Sequence, residues 1–583
     1  MTRDRIVWRP APSGLVALVL VLGIAGSATA APAQTTLVSR ATGPSGAKAA
    51  MNAEVGPESI SDDGRFVVFS TSAANLDPAD SGPPGQFDDD DSDVYVRDVV
   101  NDKTVLVSRA TGFSGAKGNS SSDSATISGT GRYIAFISNA TNLDPADTDG
   151  YDDVFVRDMA TGETTLASVA TDGTKSDFLN YDVSISDDGN FVAFSSLAGS
   201  LSPDDASPPP DQDWDIYVRN LKTGQTRLVS RADGPEGAKG NSDSGTPSIS
   251  GDGRFVAFDS GAANLDPDDT SADGDVYVRD LLADDTILAS RADGGVGQSA
   301  DGNAQEAVID RDGGRVLFSA RATNLGESTG AGRFLAYVRD LRENTTTVAS
   351  RADGPLGAVA DGPSFASGIS ADGQSVAFLS HAANLNPLDT DLVYDVYVRN
   401  LATATTTLAS RASGIDGPKG RFDSLAPSLS ADGSVVDFFS ISPNLVPGDN
   451  GNNQFGLGSD EDVFVRDLRT PALGSCHGEP VTLAGTDGGE RLEGTDDADV
   501  IAGLGGPDHI KGGGGDDVIC AGAGSDRAGG GAGRDVLLGQ AGADTLRGGA
   551  DKDRLTGGKG RDTCSGQSGR DRARACEKER GIP

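Results

Sequence analysis

Nine aspartates stand nine residues apart near the end of this 583-residue chain: Asp499, Asp508, Asp517, Asp526, Asp535, Asp544, Asp553, Asp562 and Asp571. Glu490 extends the ladder by one step. The frame around each rung is clearest in GGGGDDVIC (Gly512 to Cys520) and GGAGRDVLL (Gly530 to Leu538). The donors in this frame are carboxylate and backbone carbonyl oxygens, with no thiolate or imidazole at the equivalent positions. Hard oxygens on a flexible loop suit Ca²⁺ better than Mg²⁺, which demands strict octahedral geometry and keeps its waters. If nine residues make half a coil, aspartates eighteen apart stack on one edge. Asp499, Asp517, Asp535, Asp553 and Asp571 then share one edge, and Asp508, Asp526, Asp544 and Asp562 share the other. Carboxylates about 4.8 Å apart, the spacing of paired strands, repel by roughly 1 kcal/mol in water and roughly 3.5 kcal/mol at an effective dielectric of about 20. A column of them disfavours folding unless cations neutralise it.

The elements that would hold this column follow from the same frame. Its glycine-rich half supplies backbone shapes with positive φ, which residues bearing a Cβ resist. Its second half reads as a short strand. The eighth position carries Leu492, Ile501, Ile510, Ile519, Ala528, Leu537, Leu546, Leu555, Cys564 and Ala573. One small or medium apolar residue per nine is a thin core, suited to a stacked coil. A flexible Gly/Asp linker would keep the composition but not the register.

Residues 485–576 resemble the RTX parallel β-roll. The resemblance implies calcium held between turns by Asp499, Asp508, Asp517, Asp526, Asp535, Asp544, Asp553 and Asp562, together with carbonyls of the glycine-rich turn. It also implies a segment that folds when metal arrives. The frame is broken at Ala521 and Asp551, and arginines crowd the last copies (Arg561, Arg570, Arg572, Arg574).

A longer repeat fills residues 35–467. One copy runs PSISGDGRFVAFDS (Pro247 to Ser260), NLDPDD (Asn264 to Asp269), DVYVRD (Asp275 to Asp280) and TILASRADG (Thr286 to Gly294). Turn glycines recur at Gly64, Gly131, Gly189, Gly253, Gly313, Gly373 and Gly433. Each unit reads as four short strands, the first two joined by an Asp-Gly-type turn and the third alternating. Seven such units predict a β-propeller. A fourth-strand sequence, TTLVSR (Thr35 to Arg40), precedes the first unit, and none follows the seventh. The first strand is therefore expected to complete the last blade and remove open edges. These units resemble the PD40 repeats of TolB-like propellers, a fold that hosts many functions. The predicted class is all-β: a seven-bladed β-propeller followed by a parallel β-roll.

Two acidic positions flank the loop before the third strand of each unit: Asp80/Asp93, Asp147/Asp153, Asp205/Asp215, Asp269/Asp275, Asp389/Asp395 and Asp449/Asp462. In the fifth unit Thr329 and Leu335 replace both. The third-strand arginine persists in all seven units, so the acids serve something else. Loops such as DTDGYDD (Asp147 to Asp153, with Asp149 between) are candidate calcium sites, as are Asp269/Asp275 and Asp389/Asp395. The alternative is an Asp-rich turn that caps its own backbone.

Arg3, Arg5 and Arg9 precede an apolar run from Leu15 to Ile24, and Ala28-Thr29-Ala30 follows as a small-residue cleavage site. That pattern is a secretory signal, too short for a comfortable membrane span. Four cysteines lie in the tail. An even number in an exported chain reads as disulfides, and four cysteines allow three pairings. Local pairing, Cys476–Cys520 and Cys564–Cys576, is expected. Zinc is the rival, with only His477 near a cysteine and no C-x₂-C spacing. The expected division is a leader at 1–30, the propeller at 31–470, a linker at 471–484, the roll at 485–576 and a tail at 577–583.

A net charge of −39 excludes nucleic acid as a partner, since phosphate binding needs a basic face. No zinc-protease, serine-hydrolase or Walker motif occurs. The symmetry is broken at Trp214, Glu306, Arg311, Arg321 and His381. Two function classes remain: a secreted calcium-binding interaction protein whose propeller binds an extracellular protein or polysaccharide, or a secreted hydrolase or lyase acting on an extracellular polymer.

Overall fold

The computed structural model describes residues 33–580 apart from 79–90, 206–212, 272, 327–331, 414–416, 448–460, 470–474, 478, 482, 486–487 and 496. The leader therefore lies outside the described residues, as do Asp80, Thr329 and Asp449.

The sevenfold repeat folds as seven four-stranded antiparallel sheets. Blade 4 shows the plan, with strands Ser244–Ile249, Phe255–Ser260, Asp275–Asp280 and Asp285–Leu288 in sequential order. Blade 7 is completed by Thr35–Leu37, which pairs antiparallel with Asp462–Asp467 through Thr36↔Val465. The circle is closed by strands from both ends of the repeat region.

Each blade carries one stacked ring pair between its second and third strands, such as Phe258–Tyr277 at 5.8 Å and Phe378–Tyr397 at 5.7 Å. The alternation expected of the third strand is overridden. DVYVRD is buried along its whole length in blades 1, 4 and, as DVFVRD, 7. Blades pack face to face, so both faces of that strand meet protein. The turn glycines all have positive φ, for example +71° at Gly253.

Residues 483–580 form two six-stranded parallel sheets in the order of alternate strands. The register repeats every eighteen residues, as in Ile501↔Ile519 and Ile519↔Leu537. Nine residues thus make half a coil. The eighth-position residues from Ile501 to Cys564 are buried in one narrow cluster. Gly531, at φ +120°, shows why glycine recurs: an added Cβ would strike the carbonyl oxygen of Gly513 in the coil before it. Disulfides join Cys476 to Cys520 and Cys564 to Cys576, the local pairing expected. No helix among the described residues is long and apolar enough to cross a membrane.

Candidate metal centres

In the roll, each ladder aspartate uses its two oxygens differently. Oδ1 accepts the backbone N–H of the aspartate one coil earlier: Asp499 N to Asp517 Oδ1 is 2.8 Å, Asp517 N to Asp535 Oδ1 is 3.0 Å, and Asp526 N to Asp544 Oδ1 is 3.0 Å. Oδ2 is buried with no protein donor at Asp508, Asp517, Asp526, Asp535, Asp544, Asp553, Asp562 and Asp571. A buried carboxylate oxygen without a donor carries a large desolvation cost. Burial, followed by the neighbouring acids, pushes Asp517, Asp535, Asp544 and Asp553 up to about 6. Asp508 and Asp526 shift the same way for the same first cause.

This donor set fits calcium. The oxygens are hard and repeat along each edge, and no imidazole or thiol competes at their positions. The ends differ from the middle. Asp499 Oδ2 accepts from Thr495 N at 2.6 Å and Thr495 Oγ1 at 2.9 Å. At the far end Glu577 takes the place of a further aspartate and accepts from Asp562 N.

In the propeller the acid pairs meet a different cation. Lys175 Nζ lies 2.6 Å from Asp153 Oδ2, 2.8 Å from Asp149 Oδ1 and 3.6 Å from Asp147 Oδ1. Lys419 repeats this with Asp395 at 2.6 Å, Asp391 at 2.9 Å and Asp389 at 3.6 Å. Lys239 lies 2.8 Å from both Asp205 and Asp215. Lys117 meets Asp93 at 2.8 Å, and Lys48 meets Asp462 at 2.5 Å. Each lysine occupies one bridge position after the fourth strand, opposite Arg40, Arg109, Val169, Arg231 or Arg411. Burial opposes the Lys175 ammonium, but hydrogen bonds to Asp149 and Asp153 outweigh it and shift the group up. Burial still holds Asp153 up at about 6, and Asp215 and Asp395 at about 7.

Two blades depart. At the bridge position after blade 5 stands Val359, and the third strand of that blade begins with buried Leu335. After blade 4 stands Ser299. There Asp275 Oδ2 accepts from Ser271 Oγ at 2.8 Å, and Asp269 Oδ2 accepts from Tyr277 OH at 2.7 Å. Burial lifts Asp275 to about 7.

The third-strand arginines have a separate task. Arg157 donates to the carbonyls of Arg109, Ala110 and Gly112 and to Thr164 Oγ1, pinning the loop that leads into its own blade. The lysines are the residues that sequence reasoning missed. Their signal was present: lysine in GAKG, GTKS or GPKG follows the acid pair in the first, second, third and sixth units, and Lys48, in GAKA before the first unit, serves the seventh.

The symmetry breaks do not gather in one cleft. His381 packs on Tyr394, Trp214 on Tyr181, and the Arg321 guanidinium over Phe334. Glu306 and Arg311 line two different stretches of the central channel.

Fold and donor set together define a seven-bladed β-propeller carrying a parallel roll built to take calcium. The family described as RTX calcium-binding nonapeptide repeat (4 copies) matches residues 485–528 and 529–572. The roll therefore consists of RTX repeats, and RTX nonapeptide repeats bind calcium. Across the propeller the chain is similar to an oligogalacturonate lyase in complex with manganese, at 12% identity, covering 75% of this chain and 97% of that one with a TM-score of 0.43. It is similar to TolB from Acinetobacter baumannii at 14% identity, covering 56% of this chain and 61% of that one with a TM-score of 0.32. It is also similar to the propeller domain of the Trilobed protease from Pyrococcus furiosus, at 11% identity, 72% and 96% coverage and a TM-score of 0.41. Likenesses this remote bear on neither activity nor ligand. No curated protein matches the chain. The RTX repeats and the disulfides are consistent with an extracellular protein.

Proposed function

We propose that this is an exported binding protein. Its propeller is the platform for an extracellular protein or polysaccharide, and its roll folds on calcium to cap and stabilise the C-terminal end. The leader at 1–30 is removed on export, the propeller spans 31–470, and the roll spans 485–576. The proposed calcium ligands are the Oδ2 atoms of Asp508, Asp517, Asp526, Asp535, Asp544, Asp553 and Asp562, with Asp571 added. Asp499 joins them only by releasing Thr495.

The single observation that supports this most strongly is the run of buried Oδ2 atoms without protein donors. A secreted chain meets calcium only after synthesis, so folding and loading are coupled. At Asp147/Asp149/Asp153 and Asp389/Asp391/Asp395, whose ligand atoms lie within 4.8 Å of one another, calcium competes in this reading with the ammonium groups of Lys175 and Lys419. Limited proteolysis of the full chain tests the reading. In EGTA, cleavage should concentrate within 485–576; at millimolar calcium that segment should be protected. Equal cleavage under both conditions defeats it. Retention of the calcium-loaded protein on a panel of extracellular polysaccharides and matrix proteins tests the platform.

A further inference from the structure

The propeller's central channel has two stretches of different lining. Each blade places an aliphatic residue at one level of the channel, Ile60 at an isolated bridge in blade 1 and the last residue of the inner strand in the others, to Leu429 in blade 7, and these form a collar. Beyond the collar, at the strand 1–2 turns, Arg311 of blade 5 reaches across the channel. Its Nε lies 2.6 Å from Asp187 Oδ2 of blade 3, and its Nη2 pairs with Asp62 of blade 1. On the other side of the collar the channel widens into a chamber of about 310 Å³.

Glu58 stands at the inner end of this chamber, and only blade 1 supplies such a residue. Four residues separate Glu54 from Ser59, whereas two separate Asp123 from Thr126 at the same place in blade 2. The extra length carries Glu58 inward. Its Oε2 accepts from Ser184 Oγ at 2.6 Å, and its Oε1 accepts from Ser248 Oγ at 2.7 Å. Asp182 and Glu306 line the chamber from blades 3 and 5. Both sit at inner-strand bulges with positive φ, +38° and +59°, a conformation shared by Ser124, Thr246 and Ala426 at the same place in blades 2, 4 and 7. Asp259 lies close enough to Asp182 and Glu306 for their charges to raise it beyond what burial alone does. Its buried Oδ1 has no partner, and neither has the buried Oγ1 of Thr246, which lines the chamber.

Among the described residues no lysine or arginine lines this chamber, although a lysine answers most acid pairs elsewhere in the propeller. The remaining wall is aliphatic: Val183, Ala307, Val308, Ala366, Leu379 and Ala426. We propose that the chamber binds an aliphatic primary ammonium group, with the ammonium among Glu58, Asp182 and Glu306 and the methylenes along that wall. A single metal ion fits less well. Among the described residues, the groups of three acids that close within 4.8 Å are Asp147/Asp149/Asp153 and Asp389/Asp391/Asp395, not the chamber acids. The volume falls within the range of small-molecule pockets, which pair an apolar wall with a few convergent polar groups. The proposal rests on the reading of the propeller as a binding platform and gives that platform a ligand class.

Isothermal titration of the calcium-loaded full chain tests it with three probes of equal length: pentylamine, pentanol and pentanoate. Pentylamine should bind saturably at one site, and the other two should bind at least tenfold more weakly. Glu306→Gln should weaken pentylamine at least tenfold. Leu379→Trp, which fills the chamber without touching a carboxylate, should do the same and guards against a folding defect in the first variant. N-acetyl-lysine methylamide separates sources: binding as tight as pentylamine indicates a polypeptide lysine, and no binding indicates a free amine. Absent pentylamine binding, equal binding of pentanol, or indifference to both variants overturns the assignment. Polymer retention is scored on the same preparation. Retained protein that ignores pentylamine removes the chamber assignment alone, whereas pentylamine binding without retention removes the polymer platform and leaves the chamber.

Discussion

Lys175 Nζ lies 2.6 Å from Asp153 Oδ2, and the two residues belong to consecutive stretches of the repeat. Asp153 opens the third strand of blade 2, and Lys175 follows that blade's fourth strand on the way to blade 3. Ser168 Oγ, from between them, donates to the other carboxylate oxygen at 2.7 Å. One aspartate thus ties its own strand pair to the connection that leads onward. The arrangement recurs at Asp215 with Lys239 and Ser230, and at Asp395 with Lys419 and Ser410.

Removing the ammonium should therefore unbalance a buried site. Lys175→Val leaves the carboxylates of Asp147 and Asp153 buried without their cation. Breaking a buried pair on one side typically costs roughly 3–5 kcal/mol. Calorimetry should show a lower Tm, and millimolar calcium should restore part of it by occupying the emptied acid triplet. A Tm unmoved by the substitution would mean that the lysine is incidental.

Blade 5 shows how the cost is avoided. Leu335 and Val359 stand where Asp153 and Lys175 stand in blade 2. Replacing both members of a buried pair by apolar residues is often neutral. The double variant Asp153→Leu with Lys175→Val should accordingly be more stable than Lys175→Val alone. A double-mutant cycle should return a coupling of roughly 1–3 kcal/mol. Additive losses would argue that the two residues act independently.

The sequence made the propeller and the roll legible because both repeat, and a repeat reports register. The eighteen-residue pairing of Ile501 with Ile519 and the closure through Thr36 and Val465 follow from period and offset alone. The metal question was legible only in part. An aspartate ladder reveals its donors, yet nothing in the spacing separates Asp499, bonded to Thr495, from Asp517, whose Oδ2 is bare. In the propeller the acids were visible, but their partner lies more than twenty residues further on for Asp153 and Lys175. Only folding brings a lysine from the next connection onto the loop. Glu58 was hidden for another reason: its place in the channel comes from two extra residues in one blade, a break that repeat averaging conceals.

A central rung of the ladder should matter more than a terminal one. Asp535 Oδ2 is buried without a donor, and its Oδ1 holds Asp517 N at 3.0 Å. Asp535→Asn keeps an acceptor for that hydrogen bond and removes a charge from the column. Calcium stoichiometry, read by titration of the full chain, should fall, and the tail should need more calcium for protection from proteolysis. Asp499→Asn should change both far less, because Thr495 already satisfies that oxygen. Equal effects at the two positions would contradict the assignment of the central rungs.

Asp437 gives the propeller a pH dependence of its own. It occupies a strand position held by Ala257 and Ala377 in blades 4 and 6, and it is fully buried. Ser59 Oγ donates to its Oδ2 at 2.6 Å and Ser428 N to its Oδ1 at 3.0 Å, so it links blade 7 to blade 1. Burial pushes its carboxyl up to about 7, against about 3.9 in an unfolded chain. Between those values the folded state holds a proton that the unfolded state has lost. Its contribution is thus fully present below about pH 4 and is lost as pH rises through about 7. Asparagine mimics the protonated form, with its oxygen accepting from Ser428 N and its amide donating to Ser59. Asp437→Asn should match the parent below about pH 4 and exceed it in Tm by a margin that grows from there to pH 8. A variant less stable than the parent at pH 8 would show that the ionised carboxylate is the form the blade junction needs.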